Sequence, residues 1–293
     1  MTLEIIATFI LLLYAIRLLR HRVAWKKLTP TYSGDNGRTV SIVIVARNEL
    51  ENLQYLIPLL HAQSYSNISE IIVVDDESTD GSADFLKTQD ITYLRSKPRS
   101  ALRKKEGLKL ALSHAKGDII VQTDADCWVG EHWVERMAGS LDAYARLIQG
   151  PLTYRRSHKV WSGILESEQA VLNALSGSGI SIGRPALGNA ANMAYFRGDI
   201  DPDLDLGVNG SVSGDDEEII SAVIEKYGPS AIRFNKEPDA MVFARGPEGI
   251  QEFFYQRLRW ASKVKLRGLT KVGLDSILID QFPFTRVGCC CNV

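Results

Sequence analysis

The stretch Val40-Ser41-Ile42-Val43-Ile44-Val45-Ala46 is an almost unbroken apolar run, and Arg47-Asn48-Glu49 follows it directly. Its length and its β-branched residues are typical of a strand that is buried on both faces. A helical pattern then covers Glu49–Ala62, and a second apolar strand pattern covers Glu70–Val74. Parallel strands need a crossover between them, usually a helix, so this order predicts an α/β domain with a mainly parallel sheet.

The same alternation continues along the first half of the chain. Helical patterns cover Ser82–Thr88 and Leu102–Ala115, and strand patterns cover Ile91–Leu94 and Asp118–Thr123. In sheets of this kind, ligands bind beyond the carboxyl ends of the strands. Three polar motifs fall at such ends, and they are Val45–Glu49, Asp75-Asp76 and Asp124-Ala125-Asp126.

The second half is less regular. It contains a helix over Lys159–Leu175, a glycine- and serine-rich loop over Gly177–Gly188, a segment Gly188–Tyr195 that leads into a strand, a helix over Asp216–Lys226, a strand over Ala240–Ala244 and a long helix over Ile250–Leu269. No internal repeat interrupts this order, so the sequence predicts one α/β domain rather than a repeat array.

The composition excludes several classes of protein. The 293 residues are 45% hydrophobic and 24% charged, and the net charge of -1 gives no indication of nucleic-acid binding. Four cysteines, three of them adjacent at 289–291, provide neither a disulfide framework nor a zinc spacing, which fits a reducing compartment. The glycine patterns of dehydrogenases and P-loop proteins are also missing.

The N-terminus differs from the rest of the chain. Leu3–Leu19 is nearly all apolar, and its 17 residues would form a helix of about 26 Å. Five basic residues follow without an acidic one, at Arg17, Arg20, Arg22, Lys26 and Lys27. This order predicts an uncleaved membrane anchor whose basic flank, with everything after it, lies in the cytoplasm. An interfacial helix or a buried core helix is the alternative.

Asp124 and Asp126 end a predicted strand, where residues i and i+2 project to the same side. Two carboxylates placed in this way can chelate one Mg²⁺ or Mn²⁺ together with phosphate oxygens. The alternative is a polar turn that caps the next helix. The position after the fourth strand pattern favours the metal site.

Five segments, taken in order, resemble the family 2 glycosyltransferases, particularly the membrane-bound branch with the Gln-x-x-Arg-Trp signature. They are Val43–Glu49, Val73–Asp80, Asp124–Asp126, Gly214–Glu217 and Gln256–Trp260. The resemblance covers residues 38–268 approximately. It implies a GT-A fold, a Rossmann-like mixed sheet with flanking helices, and inverting transfer of a sugar from a nucleoside-diphosphate sugar with Mg²⁺ or Mn²⁺.

The resemblance also implies roles for individual residues on the donor side. Ala46 and Glu49 would line the nucleoside pocket, and Asp76 would contact the base or ribose. Lys104, with Lys105 close behind, would lie near the nucleotide, beside Asp124. For the segment after Asp76, the alternative is that Ser78 and Asp80 only cap the next helix. For the basic run Arg103-Lys104-Lys105, the alternative is a helix surface that only faces solvent.

On the acceptor side, Asp215 aligns with the family's catalytic base. Asp216 is the alternative, because the run of acidic residues allows the alignment to shift by one position. An N-cap is the competing explanation. Gln256, Arg259 and Trp260 share one helix face. The resemblance implies that Arg259 pairs with the diphosphate and that Trp260 lines the acceptor site, although amphipathic packing would produce the same spacing. Asn192 is a candidate for acceptor contact or for a structural role.

These observations predict a membrane anchor at 1–22, a linker at 23–39, a catalytic domain at 40–248 (nucleotide half 40–126, acceptor half 127–248), an interface helix at 249–270 and an irregular or truncated tail at 271–293. After Leu269 no run is long enough to span a bilayer. A single anchor cannot build a translocation channel, so we expect non-processive transfer.

The expected protein is therefore a glycosyltransferase at the cell membrane, with a UDP-sugar as donor and a membrane lipid or glycan as acceptor. One rival is a polyprenyl-phosphate sugar transferase, which ordinarily lacks the Gln-x-x-Arg-Trp helix. The other is a nucleotide-sugar-binding subunit with impaired catalysis. The sequence does not specify the sugar, the acceptor or the linkage.

Overall fold

A computed structural model describes residues 2–29, 31–97, 103–155, 161–185, 187–201 and 215–266. The chain divides into two compact units, Met1–Gly246 and Pro247–Val293. In the first unit the helices are α1 Thr2–Lys27, α2 Leu50–His61, α3 Ser82–Lys87, α4 Arg103–His114, α5 Trp133–Ala138, α6 Trp161–Ser181 and α7 Asp215–Tyr227. The strands are β1 Val40–Ala46, β2 Ile68–Asp75, β3 Thr92–Arg95, β4 Ile119–Gln122, β5 Cys127–Val129, β6 Leu147–Gln149, β7 Leu152–Tyr154, β8 Met193–Phe196, β9 Ile232–Phe234 and β10 Val242–Ala244.

Seven of these strands form one mixed sheet in the order β3-β2-β1-β4-β8-β6-β9. Strand β1 pairs in parallel with β2 on one side and with β4 on the other, whereas β8 is antiparallel to both of its neighbours. The predicted α/β fold with a mainly parallel sheet is confirmed. A second sheet of three strands, in the order β5-β10-β7, was not predicted.

Helix α4 lies close against the centre of the large sheet. A Cβ atom on its Gly107 would come within 2.8 Å of Val45 on β1, so a larger residue would push the helix away. Leu108, Ala111 and Leu112 on the same helix are buried in the core. This close approach fixes where the start of α4, with its basic residues, meets the ends of the strands.

The predicted loop over Gly177–Gly188 is wrong in its first part, since α6 continues to Ser181. The glycine that suggested a loop serves helix packing instead. A Cβ atom on Gly177 would lie 2.7 Å from the Trp25 ring of α1, so the small residue lets α1 approach α6. Trp25 in turn packs on Phe234, with ring centroids 5.7 Å apart.

Helix α1 runs to Lys27, beyond the residue at which the predicted linker begins. Toward its N-terminal end it exposes large apolar side chains, including Ile5, Ile6, Phe9, Ile10, Leu11 and Leu12. Among the described residues, no helix is long and apolar enough to cross a membrane, so the predicted transmembrane anchor is not found. The apolar run is bracketed by the charges of Glu4 and Arg17.

A hydrogen bond between His21 and Ser178 connects α1 to α6. His21 Nδ1 and Ser178 Oγ are 2.6 Å apart, and the Ser178 hydroxyl donates to Ala174 O at 2.5 Å, so the ring nitrogen is the donor toward Ser178. His21 Nε2 is buried and has no hydrogen-bond partner among the described residues. Burial lowers the pKa of His21, and the positive charges of Arg17 and Arg20 lower it further.

We therefore expect acid to weaken this helix contact. Because folding lowers the pKa of His21 below its ordinary 6.5, the neutral ring stabilises the fold above that pH, and the contribution is lost as the pH falls through the folded-state pKa. Urea unfolding between about pH 7.5 and about pH 5.5 should show a smaller loss of stability in His21→Gln than in the wild type. Equal losses in the two proteins would contradict this assignment.

Candidate active site

The loops after β1 and β2 are joined by hydrogen bonds into one surface. Asn48, in the left-handed region at φ 54°, donates its backbone N–H to Ser78 Oγ at 2.9 Å. Its side-chain Oδ1 accepts from Thr79 N at 2.8 Å. Ala46, predicted to line the nucleoside pocket, is buried, and its carbonyl accepts from Asp76 N at 2.8 Å. The two strand ends are therefore held in a fixed relation.

Asp80 accepts hydrogen bonds from the first residues of two helices. Its Oδ2 accepts from Leu50 N at 3.0 Å, and Leu50 is the first residue of α2. Its Oδ1 accepts from Ser82 N and Ser82 Oγ, and Ser82 is the first residue of α3. The aspartate thus satisfies an unpaired N–H group at the start of α2 as well as one at the start of α3, the helix that the sequence indicated.

The two adjacent aspartates after β2 have different environments. Asp75 is fully buried, and its Oδ1 accepts from Ser78 N at 3.0 Å, which makes it part of the turn. Asp76 Oδ2 accepts from Arg103 Nε at 3.0 Å, while its buried Oδ1 has no partner among the described residues. A buried carboxylate oxygen without a partner suits a hydroxyl or N–H donor of a ligand.

Three acidic side chains interact around the Asp-x-Asp motif. Lys104 Nζ donates to Asp124 Oδ1 at 2.8 Å. Burial, together with the negative charges of Asp124 and Glu49, raises the pKa of Asp126 to about 6. Burial also raises the pKa of Glu49, against the opposing effect of the hydrogen bond from Asn52. The site therefore concentrates negative charge that one lysine only partly offsets.

This donor set fits a hard divalent cation. In the described part of the chain, no group of three or more His, Cys, Asp or Glu side chains could hold a metal ion. Mg²⁺ and Mn²⁺ sites that handle nucleotides use one or two carboxylates, and phosphate oxygens complete the shell. Asp124 and Asp126 would supply the two carboxylates, and a cation between them would offset the negative charges that, after burial, raise the pKa of Asp126.

The two adjacent lysines of α4 point to different places. Lys105 is 2% exposed, and its Nζ lies 2.8 Å from Glu218 Oε1 in the first turn of α7. Lys104 is the lysine that reaches the Asp-x-Asp motif. The predicted proximity of Lys105 to the nucleotide is therefore replaced by an internal ion pair, which ties the helix beside the donor site to the helix that begins at Asp215.

The candidate base helix is held beside the metal motif by a chain of contacts. Thr123 Oγ1, just before the motif, donates to Ala191 O at 2.9 Å. In the same segment, a Cβ atom on Gly188 would lie 2.7 Å from Asp216 Oδ2, so glycine makes room for that buried carboxylate. Asp215 begins α7, and its side chain lies outside the described part of the structure.

Asn192 has a structural role by its contacts. Its side chain is fully buried, and Oδ1 accepts from Trp133 Nε1 at 3.0 Å. Its Nδ2 donates to Pro151 O at 2.7 Å and to Ala240 O at 2.8 Å. With these groups engaged, the amide joins β8, α5 and the segments before β7 and β10, and it does not face an acceptor.

The Gln-x-x-Arg-Trp segment lies on α8, Ile250–Leu266, in the second unit. Gln256 Oε1 accepts from Arg257 Nη1 at 2.6 Å, and the Arg257 guanidinium lies 4.4 Å from the centroid of the Phe253 ring. The side chains of Arg259 and Trp260 lie outside the described part of the structure. Their roles toward diphosphate and acceptor remain predictions.

Two arginines at the site were not singled out from the sequence. Arg103 bonds Asp76 and also donates to Glu77 Oε2 at 2.6 Å. It belongs to the basic run in which Lys104 and Lys105 were preferred. Arg245 lines a pocket with Glu49 and lowers the pKa of that carboxyl. Its position directly after a predicted strand is the signal that could have identified it.

Comparisons with known proteins agree with this geometry. A model for the family described as Glycosyl transferase family 2 matches residues 41–177, which contain the Asp75-Asp76 and Asp-x-Asp motifs. A solved structure of the mannosyltransferase PcManGT from Pyrobaculum calidifontis, in complex with GDP-Man and Mn²⁺, is similar with a TM-score of 0.63 at 19% identity. The similarity covers 86% of this chain and 71% of that one.

Glucosyl-3-phosphoglycerate synthase from Mycobacterium tuberculosis, in complex with UDP, is similar with a TM-score of 0.53 at 18% identity, over 81% of this chain and 82% of that one. A structure of the same synthase with Mn²⁺, UDP-glucose and phosphoglyceric acid has a TM-score of 0.53, at 18% identity and over 83% and 84% of the two chains. The fold is therefore that of the GT-A glycosyltransferases.

The adjacent lysines provide a matched test of the site. Lys105→Met removes the buried ammonium that pairs with Glu218 Oε1, so we expect the free energy of unfolding to fall by about 3 kcal/mol. Lys104 is half-exposed, so Lys104→Met should change the free energy of unfolding by less than about 1 kcal/mol while weakening the Mn²⁺-dependent UDP binding that we propose below. Urea unfolding and calorimetric titration measure the two effects. Equal destabilisation by both substitutions would contradict the separate roles.

Proposed function

We propose that this protein transfers a sugar, with inversion, from a nucleoside-diphosphate sugar to an acceptor hydroxyl, and that transfer depends on Mg²⁺ or Mn²⁺. The observation that carries the proposal is the meeting of three strand ends. The Asp76 carboxyl after β2, the Glu49 carboxyl after β1 and the Asp124–Lys104 pair after β4 belong to one edge of the sheet. Within the described part of the chain, Asp76 Oδ1 has no hydrogen-bond partner.

Each part of this edge suits one part of the donor. Asp76 accepts from the base or ribose, and Ala46 and Glu49 border the nucleoside. Asp124 and Asp126 would hold the cation, which would supply positive charge to offset the negative charge of the departing diphosphate. Lys104 keeps Asp124 in place and adds a positive charge beside the phosphates. A UDP-sugar is the proposed donor, and a GDP-sugar is the alternative that the mannosyltransferase complex suggests.

Inversion needs one base on the acceptor side of the sugar. The first turn of α7 supplies the candidates Asp215 and Asp216, and the Lys105–Glu218 pair anchors that turn to α4. The base takes the proton from the acceptor hydroxyl as its oxygen attacks the sugar C1 and the bond to the diphosphate breaks. For Arg259 and Trp260 we propose contacts with the diphosphate and the acceptor on the sequence resemblance alone.

The acceptor is proposed to be a membrane lipid or a glycan at the cytoplasmic face of the cell membrane. The exposed apolar side chains of α1 support contact with a lipid surface, and its basic residues favour anionic headgroups. Transfer is proposed to be non-processive. A polyprenyl-phosphate acceptor, or a role in binding nucleotide sugars without turnover, is the rival function.

Nucleoside-diphosphate release tests the enzymatic proposal. We expect purified protein to release nucleoside diphosphate from one donor of a nucleotide-sugar panel with Mn²⁺ or Mg²⁺, and EDTA to stop the reaction. Asp126→Ala removes a metal ligand and should reduce release by on the order of 100-fold. Asp84→Ala, which removes an exposed acid on α3, is the matched control and should leave release unchanged.

The base assignment follows from the same assay with an acceptor present. Asp215→Asn or Asp216→Asn should abolish transfer while donor binding persists. Normal transfer in both variants would exclude both residues as the base. Donor binding without release by the folded wild type, under every condition, would favour the binding-subunit rival.

Vesicle flotation tests the membrane proposal. We expect the protein to float with vesicles that contain phosphatidylglycerol more than with phosphatidylcholine vesicles. Replacing Phe9 and Leu12 together by serine removes apolar contact area and should weaken binding by at least about tenfold. Tyr144→Ser, which removes a 77% exposed aromatic ring elsewhere in the first unit, should have no effect. Equal binding by all three proteins would contradict a role for α1.

A further inference from the structure

The three-stranded sheet presents one face that the proposed mechanism does not use. In its register, Phe243 on β10 lies opposite Trp128 on β5 and opposite Thr153 on β7. Residues directly opposite each other across paired strands project from the same face. Arg155, two residues after Thr153, extends this face at the end of β7. We call Trp128, Thr153, Arg155 and Phe243 the aromatic–arginine face.

Side-chain contacts and exposure agree with this placement. The Arg155 guanidinium lies 5.1 Å from the Trp128 ring centroid, although their strands are separated by β10. Phe243 is 40% exposed, while its neighbours Val242 and Ala244 are buried. The face therefore combines apolar aromatic surface with an exposed arginine, and both are accessible to a ligand.

The face borders the Asp-x-Asp motif. Strand β5 begins one residue after Asp126, and Arg245 N, at the end of β10, donates to Asp126 O at 3.2 Å. The large sheet presents its nucleoside-side residues beyond β1 and β2, whereas this face belongs to the second sheet, which follows the motif. A ligand on the face would therefore lie next to the metal motif, on the small sheet that follows it.

We propose that the aromatic–arginine face binds the acceptor, and that the acceptor combines a sugar ring with an anionic group, a phosphate or a carboxylate. This inference rests on the proposed transferase function. Trp128 and Phe243 offer flat apolar surfaces that a sugar ring can cover through its C–H groups. Arg155 offers a planar fork that binds a phosphate or carboxylate with two hydrogen bonds.

The position of Arg155 argues for the acceptor rather than for the donor diphosphate. It directly follows β7, which β10 separates from β5, and its guanidinium lies over the Trp128 ring. The donor side already has Lys104 at 2.8 Å from Asp124 and Arg103 at 3.0 Å from Asp76. Arg155 is thus positioned to select the charge of the acceptor.

The test uses glucose 6-phosphate, glucuronate and glucose as probes, each titrated by saturation-transfer NMR with and without UDP and Mn²⁺. We expect both anionic probes to bind more tightly than glucose. The two anions show whether the face prefers phosphate or carboxylate. Arg155→Gln should weaken the anionic probes by about tenfold, the worth of one charge-assisted contact, without changing glucose binding. Trp128→Leu should weaken all three probes.

Arg233→Gln, on β9 at the far edge of the large sheet, is the matched control and should change nothing. Unchanged UDP affinity in every variant would show that the donor site is intact. Equal binding of glucose and both anions, or no effect of Arg155→Gln, would overturn the proposal. A matching loss of UDP affinity in Arg155→Gln would also overturn it, by assigning the arginine to the donor. A wild type that binds the anions but not UDP would contradict the proposed donor alone.

Discussion

The parallel pairing of β1 with two neighbours is the constraint on which the site depends. Residues Val40–Ala46 pair with β2 along their whole length, and Val40–Val43 also pair with β4. Because the three strands run in the same direction, their carboxyl ends meet at one edge of the sheet. Glu49, Asp76 and Asp124 are brought together by this pairing and not by their distance in the sequence.

Because these carboxylates repel one another, bringing them together costs electrostatic energy. The fold neutralises some of them more fully than others. Asp75 Oδ1 is bound within a turn, and among the described residues only one carboxylate oxygen of Asp76 has a hydrogen-bond partner. At the Asp-x-Asp motif, burial and the nearby charges of Asp124 and Glu49 raise the pKa of Asp126. Such a cluster of buried acids in one place is typical of functional sites, and it agrees with the proposed cation.

The sequence predicted the donor half well because its elements are long and strongly patterned. Strand β1 has the predicted bounds, and the helices and strands up to β4 fall within two residues of those expected. Strands β5, β6, β7 and β9 have three residues each, too few for any periodicity to show. Gly177 was read as a loop residue because the sequence does not reveal that Trp25 packs against it.

The roles of single site residues were also hard to predict, because they depend on contacts that the local sequence does not reveal. Lys104 and Lys105 are adjacent in the sequence, but on a helix their side chains diverge by roughly 100°. One reaches the metal motif, and the other is buried against α7. Asn192 was a candidate for acceptor contact from the sequence, but its side-chain amide makes three hydrogen bonds inside the protein. Such roles depend on the partner across the fold, which local sequence does not encode.

The Asp-x-Asp motif is also the junction between two sheets, and this has a consequence for specificity. Asp124 follows the large sheet, and Asp126 leads into the small one, so the proposed cation would lie where both meet. The proposed donor residues follow buried strands of the large sheet, so the packing of those strands restricts where they lie. The small sheet has exposed side chains on short strands, so under our proposal substitutions there would alter acceptor choice with less effect on the donor site.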